Sequence, residues 1–544
     1  MEPRSTSRAP QARSGPDPER VVVRDREARA GDDLERFFRG ALTTMVAPGA
    51  TDTRSTRVMA RTRWAGEHVL VLRSSASDAE RREARAHLDA DALRRSDGTF
   101  SLDYPGDSGG PPLQPDTEYT LVVEHVSSGA RLGEGRLRTA PVPGSEAAAK
   151  VTIGVASCHN PFRPDGALHP QALRALTAAQ SAYDRVGAGR VVLAGDQVYG
   201  DLPAPLSLFD PDHFAKVGPR YRDSIFDCTE DEVRALFQER HRIFWKVDAM
   251  RGLMARFACH PILDDHEIVD NFGSDPAHST PRWASVRAGA LGAFHDYQAR
   301  RVFGDARPAS FDHGFRYGDV AVYVTDLRSE RFATEDELVL LSDAQLRRLA
   351  DFLERHGDAA AVVLVLSVPL LHLPDWMIAA SVNVAGEGSD AGDRWSAPKA
   401  HGSRDALVQV LTRHERAHPH QRLVLAGGDI HVGAAMELRF TEQSRTALQL
   451  VSSALSNVQG RVQELAGGAM ARAVSTKGRP TKTFAHASML EGVDGADRNP
   501  CAQLNMGVID VDASGHDAAV RVRLLSPDEE VVPNAAPVFD SGWR

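Results

Sequence analysis

Arg190-Val191-Val192-Leu193-Ala194-Gly195-Asp196-Gln197-Val198-Tyr199-Gly200-Asp201 joins an apolar run to a turn that carries two carboxylates and a phenol. A short run without polar alternation fits a strand buried on both faces, and Gly195 lets the backbone come close to whatever Asp196 holds. Working back, Gln171 to Tyr183 has the spacing of a helix and Val151 to Ala156 that of a second buried strand. Strand, helix and strand in this order make a βαβ unit.

Outward from this unit, further buried strands are expected at Ala321 to Thr325, Ala361 to Leu366, Leu423 to Leu425 and Leu448 to Val451. Ser342 with Gln345 three residues on has the spacing of a capping box, so a helix is expected before Ala361. Met506 to Phe539 alternates apolar and polar residues and adds β structure to the same domain. Upstream, Ser55 to Thr139 holds short β-rich stretches, among them Thr56 to Arg61, His68 to Leu72 and Tyr119 to Val123, which predict a small β-sandwich. Pro141-Val142-Pro143-Gly144 breaks both periods and marks a boundary. The division is therefore a disordered or weakly ordered tail over 1–40, a β-sandwich domain over 41–144 and an α/β domain over 150–544.

Composition narrows the function. The 544 residues carry 64 Lys+Arg against 74 Asp+Glu, a formal net charge of -10, which argues against broad nonspecific nucleic-acid binding. The run Ala359 to Leu371 is too short to span a membrane and reads as a buried strand. Four cysteines (Cys158, Cys228, Cys259 and Cys501) form no CxxC pair or disulfide framework. Basic residues at the N-terminus are not followed by an apolar stretch, so the expected location is the cytoplasm. Composition sets no oligomeric state.

Four segments place metal-binding side chains at strand exits, where α/β proteins build sites. They are Ser157-Cys158-His159-Asn160, Gly195 to Asp201, Asp264-Asp265-His266-Glu267 and Gly427-Gly428-Asp429-Ile430-His431. A carboxylate such as Asp196 after a buried strand can bridge two cations, and Tyr199 can offer a phenolate to a hard trivalent ion. Asp264 to Glu267 brings three acidic groups and an imidazole to one turn, a costly concentration of charge without a cation or base. Asp429 and His431, two apart, project to one side if the chain is extended there. By contrast, His414, His418 and His420 lie at a helix end and are expected to be solvated.

Together these segments resemble the alkaline phosphatase D (PhoD) family of the calcineurin-like metallophosphatases. The specific matches are Gly195 to Asp201, Leu263 to Asn271 and Gly428-Asp429-Ile430-His431; Ala156-Ser157-Cys158, Thr325 to Arg331 and Leu366-Ser367-Val368-Pro369 support them. The resemblance covers Val151 to Val511. It implies a metallophosphatase-type β-sandwich flanked by helices, preceded by a small all-β domain of immunoglobulin or fibronectin-III type. It implies two or more metal ions, iron(III) with calcium or another divalent ion: Asp196 bridging, Cys158 and Tyr199 on the iron-like site, Asp265 on the second, and Asp429 and His431 closing one sphere each. His266 is implied to assist the leaving group.

Two departures stand out. Where the superfamily has a His-x-Pro ligand, this chain reads Ser367-Val368-Pro369; and Ser157-Cys158-His159 leaves Cys158 or His159 as ligand, with the resemblance favouring Cys158. Arg328 and Arg331 have the chemistry to meet a substrate phosphoryl group, and equally to form structural ion pairs. Asp326 can orient one of them or bind a metal. The expected reaction is hydrolysis of a phosphate mono- or diester by in-line attack of a metal-bound hydroxide. The alternative is a non-catalytic, metal-stabilised binding protein.

Overall fold

In strands buried on one face, apolar side chains must alternate, and they do so along Glu118–His125. The computed structural model describes residues 44–75, 81–106, 109–386, 388–440, 446–458, 486–526 and 536–544; the tail expected over 1–40 lies outside them. The strands Met45–Thr51 (β1), Thr56–Arg61 (β2), Gly66–Ser74 (β3), Arg81–Leu88 (β4), Thr99–Tyr104 (β5), Glu118–His125 (β6) and Arg131–Arg138 (β7) form two antiparallel sheets. Their orders are β1-β2-β5 and β4-β3-β6-β7. Leu70, Leu72, Phe100, Tyr119 and Leu121 belong to the core they share.

The second sandwich begins with Lys150–Ala156 (β8), Arg190–Leu193 (β9) and Ala258–Pro261 (β10), which run parallel. His313–Tyr317 (β11) and Val320–Val324 (β12) open the facing sheet, and Phe332–Ala333 (β13) and Leu338–Val339 (β14) make a small ribbon. Ala361–Val365 (β15), Arg422–Gly427 (β16), Ala434–Arg439 (β17), Ala447–Val451 (β18) and His486–Met489 (β19) complete that sheet in the order β11-β12-β15-β16-β18-β17-β19. Met506–Asp512 (β20), Ala519–Leu525 (β21) and Pro537–Asp540 (β22) extend the first sheet, giving β10-β9-β8-β20-β21-β22. Here the C-terminal alternation forms its antiparallel strands.

The apolar runs of β9, β12 and β15 follow from cover on both faces. Between the sheets lie Val155, Val192, Val322, Val363, Val424 and Ile509. Outside the first sheet, helices Pro170–Arg185 and Asp248–Arg256 contribute Leu176, Ala179, Leu253 and Met254. Outside the second, Asp343–Arg355 and His401–Ala417 contribute Leu349, Phe352, Leu407 and Leu411. No helix among the described residues is long and apolar enough to cross a membrane.

Ser342 caps its helix by accepting from Gln345 N at 3.1 Å, but the reciprocal half of the expected capping box is missing. The Gln345 amide instead bridges Asp326, accepting from its N–H and donating to its C=O at 2.8 Å each, and so ties down the loop after β12. His414, expected to be solvated, is buried and hydrogen-bonded to Gln421.

The sandwiches are joined by buried charge. Arg190 on β9 donates to the carbonyls of Thr51 at 2.7 Å and Arg138 at 2.8 Å. Asp97 pairs with Arg61 at 3.2 Å within the first sandwich and with Arg242 and the Tyr297 hydroxyl of the second.

Candidate metal centre

The parallel strands β8, β9, β10, β15, β16 and β18 release their chains at one edge, and each following turn delivers a polar side chain. Sharp reversal there forces unusual backbone: Cys158, Asp196, Asn271, Asp429 and His431 all have φ between +54° and +64°. Such residues cost energy and cluster where side-chain placement matters. Gly195, at φ +93°, lies so close to Asp264 that a Cβ would fall 2.7 Å from the Asp264 Cβ. At Gly428 a Cβ would meet Ser157 Oγ at 2.4 Å, so the turns can interlock only with glycine at both positions.

Asp196 is the common member of three overlapping groups whose ligand atoms lie within 4.8 Å of one another: with Cys158 and His431, with Asp265 and His266, and with Asp264, Asp265 and Asp429. The Cys158 thiol and the Tyr199 hydroxyl both donate to Asp196 Oδ2, at 3.4 Å each. Asn457 Nδ2 links Tyr199 OH, at 3.4 Å, to His431 Nε2, at 3.2 Å. All six residues expected as metal ligands thus converge. Asp429 and His431 do so through successive left-handed turns rather than extended alternation, and they fall in different groups.

Asp196 Oδ1, Asp264 Oδ2 and Asp265 Oδ1 are buried without a hydrogen-bond partner. Burial, then the charge of Asp264, pushes the Asp196 carboxyl well above its ordinary range. Burial, then Asp196, does the same to the Cys158 thiol and the Tyr199 phenol. A buried set of anionic groups that can shed its charge only by taking up protons is the environment a multivalent cation reverses. The donor set therefore fits metal ions.

His159 is not part of this set: its ring nitrogens meet Ser456 Oγ at 2.9 Å and the Phe244 carbonyl at 3.2 Å. Cys158 is the member of that pair that faces Asp196. Ser367, at the His-x-Pro position, donates to Asp264 Oδ1 at 2.9 Å. Glu267 accepts from the backbone N–H of Asp196, Gln197 and Asp264, at 3.2, 2.7 and 2.9 Å, which locks two of the turns together.

His266 sits at the edge of the group, with Nδ1 donating to Asp201 at 2.9 Å and its ring against Tyr199. Burial pulls its pKa down, but Asp201 and Asp265 outweigh burial and hold the imidazole protonated well above its ordinary value. Asp201 ends the motif that opens with Gly195, yet its role was not legible because it depends on the facing turn.

Arg328 does not meet the expectation of a phosphate contact. It is fully buried, with Nε donating to Asp264 at 2.7 Å and both terminal nitrogens donating to Asp393 at 2.8 Å. Arg331 is likewise buried, its Nη2 turned to Asp393 at 2.8 Å and Ser274 at 2.6 Å, while Nε and Nη1 make no hydrogen bond. The guanidiniums pair with carboxylates from two other loops, Asp264 after β10 and Asp393 before the helix His401–Ala417. Asp326 stands outside the candidate metal groups among the described residues; it accepts from Phe311 N and Ser329 N, at 2.8 Å each. Asp393, Arg394 and Asn457 went unread because they stand in irregular stretches without a motif. Arg394 nonetheless pairs with Asp429.

Among curated proteins none matches this sequence. Among solved structures, one described as the structure of PhoD superposes with a TM-score of 0.56 at 14% identity, covering 89% of this chain and 90% of that one. The purple acid phosphatase PPD1 from yellow lupin (Lupinus luteus) seeds superposes with a TM-score of 0.52 at 11% identity, covering 91% of this chain and 73% of that one. These likenesses establish the α/β metallophosphatase fold. Residues 154–498 match the family model described as PhoD-like phosphatase. With the strand-edge cluster lying inside that match, the chain belongs to the PhoD-like phosphatases and is a hydrolase of phosphate esters.

Proposed function

We propose that the chain hydrolyses phosphate mono- or diesters at a centre of two cations, for which Asp196, shared by all three candidate groups, would be the common ligand. The observation that carries this reading is the pair of partnerless carboxylate oxygens, Asp196 Oδ1 and Asp264 Oδ2, beside Asp265 Oδ1, which makes no hydrogen bond. Cys158, Tyr199 and His431 suit a trivalent iron, since thiolate, phenolate and imidazole favour it over alkaline-earth ions. Asp265 and Asp429 offer the oxygen ligands that calcium or another divalent ion takes. When bound, the cations polarise the phosphoryl group and acidify water for in-line attack.

The chain's own groups do the rest. Asp201 fixes the His266 ring through Nδ1, leaving Nε2 to give a proton to the departing oxygen. Glu267 keeps the turns of Asp196 and Asp264 in register. The first sandwich is read as the immunoglobulin or fibronectin-III-like domain of a two-domain enzyme, 41–144 before 150–544. Turnover of nitrophenyl and bis(nitrophenyl) phosphate by metal-replete protein tests the activity and ranks monoester against diester. Release of nitrophenol that metal chelation abolishes supports the reading; inertness toward both esters at full metal loading contradicts it.

A further inference from the structure

We propose that Arg394 is the substrate-binding arginine of this site, holding a phosphoryl oxygen beside the cation ligated by Asp429. The proposal rests on the phosphoesterase reading above and assigns a role that the buried arginines cannot fill.

Among the described residues, Arg328, Arg331 and Arg394 approach the acidic side chains of the cluster. Arg328 and Arg331 are sealed, their side chains without exposure and locked onto Asp264 and Asp393. Arg394 keeps about a tenth of its side chain open to solvent and pairs with Asp429, itself a member of the candidate ligand group. It follows Asp393 directly, so the Asp393 anchor to Arg328 fixes the backbone from which Arg394 projects.

The pairing with Asp429 has a consequence once a cation is present. A carboxylate that ligates a metal gives up much of its charge to it, and the guanidinium then loses its anionic partner at the rim of a cationic centre. Asp393 is already saturated by Arg328 and Arg331. A phosphoryl group held at the site would offer oxygens at that rim, and guanidinium pairs with such oxygens in a two-point geometry. Arg394 thus exchanges a carboxylate for a phosphate with little movement.

The test uses the full-length, metal-loaded protein with Arg394→Ala and Arg394→Lys. Inorganic phosphate binding is measured by calorimetry, metal content by elemental analysis, and kcat and KM with nitrophenyl phosphate. The proposal expects unchanged metal content, phosphate binding weakened about tenfold or more in Arg394→Ala, a matching rise in KM, and only partial rescue by lysine, which lacks the two-point fork. Wild-type phosphate affinity in Arg394→Ala overturns it. Altered metal content with unchanged phosphate affinity also overturns it, and makes Arg394 a structural partner of Asp429. Failure of the wild type itself to turn over ester at full metal loading counts against the phosphoesterase reading instead.

Discussion

Two buried charged clusters lie back to back across the turn Asp264-Asp265-His266-Glu267, built from the same residue types and differing in compensation. Behind the turn, Arg328 and Arg331 meet Asp264 and Asp393 in ion pairs of 2.7–2.8 Å. In front of it, Asp196 and Asp264 each keep one oxygen without a partner, and Asp265 Oδ1 makes no hydrogen bond, meeting only Arg328 Nη2 at 3.5 Å. Asp264 belongs to both, with Oδ1 on Arg328 and Ser367 and Oδ2 toward the front. Burial and charge therefore do not separate scaffold from site; what separates them is how fully the protein itself supplies the counter-charge.

The strongest way to break this comparison is to remove the bridge. Asp196→Asn is expected to lose metal and ester hydrolysis together while keeping the circular dichroism of the wild type, and full activity in that variant refutes the bridging role. His266→Asn should leave metal content intact and lower kcat roughly 10²- to 10⁴-fold, most for esters with poor leaving groups, as loss of a general acid does. On the compensated side, Arg328→Ala strands Asp264 and Asp393. It should cost about 3–5 kcal/mol in urea unfolding, the price of a broken buried pair. A loss below about 1 kcal/mol, the value of an exposed pair, erases the distinction between the clusters.

A smaller effect is expected at Asp97, a compensated carboxylate outside the candidate metal groups. Burial alone raises its pKa, but Arg61 and Arg242 outweigh burial and hold it below its ordinary 3.8. Its contribution is complete above that value and is lost as pH falls through the depressed native pKa. Asp97→Asn should lower stability near neutral pH by about 1.5–3 kcal/mol, the worth of hydrogen bonds to a charged group, and flatten the acid limb of the stability curve. An unchanged acid limb contradicts this assignment.

Much of the second sandwich was legible because its strands are covered on both faces. Val151 to Ala156 and Arg190 to Ala194 appear as Lys150–Ala156 and Arg190–Leu193, and the helix between them spans Pro170–Arg185. The ligand cluster was legible for a related reason: parallel strands end at one edge, so acidic turns after buried runs had to meet. Pairing choices were not. Nothing in Arg328 or Arg331 tells a phosphate contact from an ion pair with Asp393, which lies more than sixty residues on in an irregular loop. Gln345 had the spacing of a cap and was taken instead by Asp326. Asn457 reaches Tyr199 and His431 across the sheet, a proximity without local sequence pattern.

The central claim is that the partnerless carboxylates around Asp196 are a metal centre that performs the chemistry. The direct measurement is elemental analysis of the purified full-length protein, before chelation, after chelation and after metal return, with nitrophenyl phosphate turnover read on the same samples. The account predicts two or more ions per chain, activity that falls with their removal and recovery when they are restored. Full turnover by metal-free protein would contradict it.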